Sequence, residues 1–404
     1  MKTRVDVALV GIGGYGAYNL EMVRRLEAEG HVRLNAVIDP MAEKSPDWPE
    51  LATLGVPTFK TLSEFNKAGL SSDLAVISSP IAFHANQTCE ALGLGMNVLC
   101  EKPMAATIQD ALEMQVARDA SGKFLEIGYQ WSFSQTIQRL KRDILAGRLG
   151  APVRLMTRVG WPRTSAYYAR NSWAGRVRDD AGRWVLDSPV NNATAHFLHN
   201  MLFLLGPSMD RCATPVAITA EAYRANPIEN YDAACSRVET LENVDLIFFT
   251  AHCVNETVGP IFQFLFENAK VELSEKGHIT THFQDGSEVD YGHPESDPLC
   301  KLIHCVDQCL KETASSPLCG PEAAMGHVLC VNGIQQTPVH QIDQKWIKRR
   351  TQTGGETLTF LPGLNEAMEQ GVEQSRLFSE MQLSWARPAE RIPLSDYIHY
   401  PNNP

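Results

Sequence analysis

The 404-residue sequence has no block of lysines and arginines. Its densest basic run, residues 345–350, is interrupted by Trp346 and Ile347, and the chain carries a formal charge of −11. Neither a nucleic-acid partner nor an anionic membrane surface is expected from that balance. No apolar run approaches the roughly 18 residues of a membrane span. No signal-peptide h-region precedes the first strand-like segment, so a soluble, cytoplasmic protein is expected. Internal repeats and low-complexity stretches are also missing. Among the ten cysteines there is no Cys-x-x-Cys pair. Cys300, His304, Cys305 and Cys309 fit a helix better than a metal site, so no metal and free thiols in a reducing compartment are expected. With 44% hydrophobic and 21% charged residues, the composition is globular, and the length suits two domains.

Residues 5–10 run apolar like a buried parallel strand. Gly11, Ile12, Gly13, Gly14, Tyr15 and Gly16 follow directly with the spacing G-x-G-x-x-G. A helical pattern then places Tyr18, Met22 and Leu26 on one face. In such a loop the first glycine permits the tight turn. The second admits a pyrophosphate, and the third lets helix pack on strand. Backbone N–H groups and the helix dipole hold the phosphates without a lysine. Residues 33–38 form the next strand and end in Asp39, 23 positions after Gly16. A carboxylate there accepts from the adenosine ribose hydroxyls, although capping a turn with Pro40 is an alternative role. No arginine follows, and a 2′-phosphate would meet a like charge, so NAD is favoured over NADP.

Two further strand–helix units come next. Residues 56–59 form a short strand, with Ser63 as a helix cap. Residues 73–78 form a buried strand ending in Ser79-Pro80. His84, near the start of the helix that runs to Gly93, can reach a bound cofactor or simply bond locally. Residues 97–100 form a fifth strand, and Glu101-Lys102-Pro103 sits at its carboxyl end, on the edge that carries the glycine loop. A lysine there is a natural proton carrier, because desolvation moves its pKa readily. Thr107 and Asp110 make a capping box for the next helix, and residues 124–129 read as a sixth strand.

The order of these motifs resembles the glucose–fructose oxidoreductase/inositol dehydrogenase (Gfo/Idh/MocA) family. The match continues through Gly128-Tyr129-Gln130-Trp131, the helix at 134–146 and Gly147-Arg148-Leu149-Gly150, covering about 150 residues. The resemblance implies a Rossmann domain at 1–130, with a doubly wound parallel sheet. It implies an α+β domain at 131–350 whose open, mostly antiparallel sheet makes a homodimer or homotetramer contact. A helical extension occupies 351–404. Ser79, Pro80, His84, Glu101 and Gln130 then join the glycine loop and Asp39 around NAD. Lys102 stands near the nicotinamide and the reacting carbon, with a cis Lys102–Pro103 bond.

The family's second signature, D-x-G-x-H-x-x-D, corresponds to Asn192-Ala193-Thr194-Ala195-His196-Phe197-Leu198-His199. Asparagine, threonine and a second histidine replace the first aspartate, the glycine and the last aspartate. Positions 192, 196 and 199 share a face if one helix spans them. Asparagine cannot take a proton, so the base is His196, Lys102 or a carboxylate from elsewhere, with Asp187 the nearest candidate. Trp161, Arg163, Tyr167, Tyr168, Trp173 and Arg176 suit a polyhydroxyl ligand or anchor a loop. Residues 216–223, 234–240, 244–252, 260–267 and 269–273 read as antiparallel strands. Helices are expected at 299–313, 322–335 and 364–381.

The resulting expectation is an NAD-dependent oxidoreductase acting on a secondary alcohol of a sugar, cyclitol or related polyol. Lys102 and His196 share the hydroxyl proton and Asn192 orients them, while Trp131, Arg163, Trp173, Asp187 and His199 face the substrate. Two other readings stand beside it. One is a glycoside hydrolase or lyase that oxidises its sugar only transiently on NAD. The other is an NAD-binding protein whose catalysis has lapsed.

Overall fold

The computed structural model describes residues 3–274, 276–311 and 317–402. Its first sheet contains β1 (Val5–Val10), β2 (Val32–Ile38), β3 (Thr58–Phe59), β4 (Leu74–Ile77), β5 (Asn97–Cys100) and β6 (Leu125–Ile127). They pair in the order β3-β2-β1-β4-β5-β6, all parallel. Such strands are nearly continuously apolar because helices cover both faces. The intervening helices are α1 (Tyr15–Ala28), α2 (Trp48–Thr53), α3 (Leu62–Lys67), α4 (His84–Gly93) and α5 (Ile108–Ser121). Strand order reverses between β1 and β4, which opens a crevice beyond their carboxyl ends. Thr107 caps α5 as its spacing predicts, accepting the Asp110 N–H at 3.4 Å. For α3 the cap is Thr61 and not Ser63: the extended backbone at Thr61 lets its hydroxyl accept from Glu64 N.

Helices α6 (Gln130–Phe133) and α7 (Gln135–Leu145) lead into β7 (Pro152–Gly160), followed by α8 (Ser165–Ala169) and α9 (Ala195–Leu204). The second sheet adds β8 (Pro215–Arg224), β9 (Ala233–Thr240), β10 (Asp245–Ala251), β11 (Val258–Phe266), β12 (Ala269–Leu273), β13 (Ile279–Phe283) and β14 (Glu288–Gly292). After α10 (Cys300–Leu310) and α11 (Pro321–Gln336) come β15 (Val339–Gln341), the hairpin β16 (Lys348–Thr351) and β17 (Thr357–Phe360), α12 (Leu364–Gln374) and β18 (Arg391–Pro393). The order is β14-β13-β12-β11-β7-β10-β9-β8-β15, with β18 also beside β8. It is antiparallel except at β7–β10 and β8–β15.

Chain order does not separate the two layers. Leu299, Leu302, Cys305 and Val306 around α10 join one apolar cluster with β1, β4 and α1 of the first sheet. Of the helix expected at 299–313, α10 covers Cys300–Leu310, while Glu312 and Thr313 lie outside the described residues. No helix among the described residues is long and apolar enough to cross a membrane.

The C-terminal segment also differs from expectation. Helix α12 stops at Gln374 because Ser375 turns left-handed, with φ of 56°. The chain then crosses the second sheet on the face away from α9. Phe378 is fully buried there, with its ring 5.1 Å from Phe249 and 5.0 Å from Trp385. Buried Glu221 accepts the Ser379 N–H at 3.1 Å and its hydroxyl at 2.7 Å, and Arg237 reaches Glu380 through two bonds of 2.7 and 2.8 Å. This face of the second sheet, around β7 and β10, is thus covered by the chain's own tail. The reason is apolar burial: Met156, Tyr223, Ile247 and Phe249 of the sheet and Leu364, Met368 and Phe378 of the tail form one cluster. Phe378→Ala should lower stability by about 3–5 kcal/mol through lost burial and a residual cavity. The check is the urea midpoint, and a loss below about 1 kcal/mol would mean that the tail does not pack there.

Candidate active site

The glycine loop is closed on one side and open on the other. Gly11, at φ +85°, lies so close to β4 that a Cβ would come within 2.9 Å of Ser79 N. A Cβ on Gly16 would fall 2.3 Å from the Gly11 carbonyl oxygen. At Gly13 and Gly14 a Cβ would meet nothing within 4 Å. Close backbone packing plus an open approach at the start of α1 fits a dinucleotide pyrophosphate. Asp39 accepts Ile12 N–H at 2.9 Å and Met41 N–H at 2.7 Å, so it braces the loop at the end of β2. Only the backbone of Ile12 is available to a cofactor; its side chain is buried in the cluster beneath α1. Ser79 donates to Gln87 at 2.5 Å, and exposed Pro80 follows it.

His84 differs from the expectation that it faces the cofactor. It is 2% exposed, with Nδ1 2.8 Å from the Pro103 oxygen and Nε2 2.9 Å from the Ser79 oxygen. It therefore ties the β4 and β5 loops together from inside, and burial holds its pKa below the usual imidazole range. Glu101 is likewise withdrawn from any cofactor. Its buried carboxylate ion-pairs with Lys301 of α10 and accepts from Asn19 Nδ2 at 3.0 Å, and Asn19 also donates to Ser78 at 2.7 Å. A Cβ on Gly128 would stand 2.8 Å from Glu101 Oε2, which explains the glycine. Tyr15 projects from the loop with its ring 4.9 Å from the Lys301 ammonium.

Lys102 occupies the centre, with a cis bond to Pro103. Its ammonium donates to the Asn192 main-chain oxygen at 2.7 Å and approaches Asn192 Oδ1 at 3.3 Å. Burial lowers its pKa to about 8, although Glu101 and Asp187 pull the other way. Asn192 in turn donates to Asp187 Oδ1 at 2.8 Å, while Asp187 Oδ2 accepts the Gly175 N–H at 2.6 Å and faces Arg170 at 3.5 Å. Asp187 is buried, and desolvation raises its pKa.

The single helical face expected for residues 192, 196 and 199 does not form. Residues Pro189–Ala193 make a π-helical turn, begun by Ser188 accepting from Asn191 N–H, and α9 starts at Ala195. The wider turn presents both oxygens of Asn192 to Lys102. His196 lies edge-on to Tyr129 at 5.9 Å, and its buried Nδ1 has no partner among the described residues. Burial first, then the charges of Lys102 and Lys301, keep it neutral.

His199, expected to touch substrate, belongs to the interior. It is 1% exposed, stacks on Tyr129 at 3.7 Å and sits 2.9 Å from the Ser132 hydroxyl. Tyr129, Phe203 and Ser132 enclose it in the core. Trp131, also expected at the substrate, is 4% exposed, packs on Phe197 and Phe262, and donates to Glu295 at 2.9 Å. Gln130 donates to the Asp297 carbonyl at 3.1 Å and so holds the entry to α10. Arg163 and Trp173 remain in the half-buried wall above Asp187, with Arg163 4.8 Å from the Tyr167 ring and Arg170 5.3 Å from Trp173.

Sequence reasoning missed Lys301, Asn19 and His327. His327 on α11 meets the Tyr129 hydroxyl at 2.9 Å and the Val190 oxygen at 3.1 Å, bracing the ring against which His196 rests. A lysine on the buried side of α10 was the one available signal for Lys301; its partner lies 200 positions away.

A phosphate cradle and a buried amine on one sheet edge, closed over by a second sheet, define a two-domain dinucleotide-binding protein. Residues 5–129 match the model of the Gfo/Idh/MocA oxidoreductase family, described as an NAD-binding Rossmann fold. It is 28% identical to the rhizopine catabolism protein MocA of Rhizobium meliloti over 227 residues, 56% of this chain and 65% of that protein. It is 30% identical to an inositol 2-dehydrogenase of Streptomyces avermitilis over 203 residues, 48% of this chain and 57% of that one. The chain therefore spans less than two thirds of the length of these curated relatives. The fold is shared with the WlbA dehydrogenase of Bordetella pertussis, solved with NADH and UDP-GlcNAcA. The TM-score is 0.66 and the identity 20%, over 82% of this chain and 96% of that one.

Proposed function

We propose that the protein is an NAD-dependent oxidoreductase acting on a secondary alcohol of a sugar, cyclitol or related polyol. The observation that carries the proposal is Lys102, a buried amine near pKa 8 held by Asn192 on the edge that bears the glycine loop. The glycine loop and Asp39 would hold NAD, which would supply a hydride acceptor for the carbinol carbon. The neutral Lys102 amine takes the hydroxyl proton, and His196, with Nδ1 unpaired, bonds the same hydroxyl. Asn192 positions Lys102 and transmits no proton, because an amide cannot exchange one at this pH. Asp187 fixes the asparagine amide, so that Asn192 presents its oxygen to the lysine. The name of the inositol 2-dehydrogenase relative, a cyclitol dehydrogenase, supports this substrate class.

The deciding experiment incubates the protein with NAD and a panel of polyols and glycosides while recording the reduced-nicotinamide band. Accumulating reduced cofactor supports the proposal. Glycoside cleavage without net reduction would instead establish the transient-oxidation chemistry, and no change with any substrate would refute both.

Asp39 supports NAD over NADP. Asp39→Ala should weaken NAD by about tenfold or more, the scale of a lost charge-assisted hydrogen bond, and narrow the gap to NADP. Titration of both dinucleotides tests this, and an unchanged preference would remove Asp39 from the ribose.

A further inference from the structure

We propose that the substrate is an acid: a polyhydroxy carboxylate, such as a uronate or aldonate, whose carboxylate is held by Arg163 and Arg170. This inference rests on the proposed oxidoreductase reading and specifies its substrate class.

The first observation is a surplus of cations in the wall above Asp187. The Arg163 guanidinium carbon lies 4.8 Å from the Tyr167 ring centre and that of Arg170 lies 3.7 Å from the same centre. Two guanidinium groups thus share one aromatic ring, with Lys102 close enough for Arg170 to affect its proton affinity. Asp187 is the acidic group within this set. Its two oxygens already receive Asn192 at 2.8 Å and Gly175 at 2.6 Å, and it meets Arg170 only at 3.5 Å. Glu101 is neutralised by Lys301. Glu356, near the same loop, accepts from Thr164 at 2.6 Å. Arg163 forms no ion pair with any carboxylate among the described residues, and its buried Nε has no hydrogen-bond partner. In a protein of net charge −11, two guanidinium groups and Lys102 set against the single carboxylate of Asp187 are not a general surface property. A carboxylate matches their planar fork.

The second observation is independent of charge. His252 is 2% exposed, and its Nδ1 lies 3.0 Å from the Trp161 main-chain oxygen. That contact places the ring proton on Nδ1 and leaves Nε2 as an acceptor. Among the described residues, Nε2 is buried without a partner, as is the Tyr168 hydroxyl. The Arg163 main-chain N–H donates to the His252 main-chain oxygen at 3.1 Å, and the Arg163 charge acts on the His252 ring, so the orphaned acceptor belongs to the same wall as this guanidinium. An acceptor next to a cation suits a hydroxyl on the carbon adjoining a carboxylate. A buried polar atom without a partner otherwise costs stability.

The test titrates the NAD-loaded protein with glucuronate, galacturonate, mannuronate and gluconate, and in parallel with their parent hexoses and glucose 6-phosphate. Tryptophan fluorescence reports binding, because Trp161 and Trp173 flank the arginines, and reduced nicotinamide reports turnover. At least one acid should bind about tenfold or more tightly than its parent hexose. Arg163→Gln should erase that preference, mainly through KM, and Arg163→Lys should retain part of it. Absence of preference for every acid overturns the inference, as does a preference for glucose 6-phosphate over all the carboxylates or an acid preference unaltered by Arg163→Gln. Turnover of hexoses or cyclitols without acid preference would leave the oxidoreductase reading standing. Acid preference in binding without any turnover would keep the anion site and remove that reading.

Discussion

Lys102→Ala should lower turnover by at least about a hundredfold while leaving NAD affinity within about fivefold, since a general acid or base contributes about 10²–10⁴ in rate. The separation follows from the geometry. In the proposed reading the phosphates would meet the glycine loop and the ribose side Asp39, whereas the lysine ammonium points away to Asn192 at 2.7 Å. Its pH dependence supplies a second signature. With a pKa lowered to about 8 by burial, Lys102 is mostly protonated below that pH and cannot accept the hydroxyl proton. Alcohol oxidation should therefore rise with pH through about 8 and level off above it, and the variant should lose this step. His196 stays neutral over that range and contributes no inflection there. Single-turnover rates from pH 6 to about 10, with NAD titration at each end, provide the measurement. Near-normal turnover in the alanine variant would remove Lys102 from the chemistry.

Lys301→Ala is the larger structural perturbation. Lys301 is 2% exposed and Glu101 5% exposed, so removal of the ammonium leaves a carboxylate inside the protein with Asn19 as its remaining polar contact. Breaking a buried pair from one side costs about 3–5 kcal/mol. The same pair clamps α10 to the end of β5, so the damage reaches the segment that carries Lys102. Lys301→Met combined with Glu101→Gln should recover most of the lost stability, because no unpaired charge is left. Urea unfolding of the single and double variants decides the matter. A loss below about 1 kcal/mol for Lys301→Ala would show that Glu101 is solvated.

Legibility followed the range of the contacts. The glycine loop, Asp39 at the end of β2, and Lys102 at the end of β5 were visible because strand periodicity and the following glycines or charges lie within a few residues of each other. The strands of the second sheet were partly visible. Those at 216–223 and 234–240 matched β8 and β9 closely, whereas the more exposed β13 and β14, with threonine, histidine and acids along them, carried too weak an alternation. The face joining residues 192, 196 and 199 was a reasonable helical reading that failed on one local event, the π-helical turn at Pro189–Ala193. His84, Trp131 and His199 were recognised as unusual polar or aromatic residues, but their burial depended on what packed over them.

By itself, the sequence determined the dinucleotide cradle and the strand end that carries Lys102, because these are set by hydrogen bonds and packing between near neighbours in the chain. Only the tertiary structure decided the partners. It joined Glu101 to Lys301 across 200 positions, linked Lys102 through Asn192 to Asp187, and folded the tail over the second sheet. Such contacts arise from the placement of whole elements against one another, which apolar burial over the entire chain settles and no local pattern records.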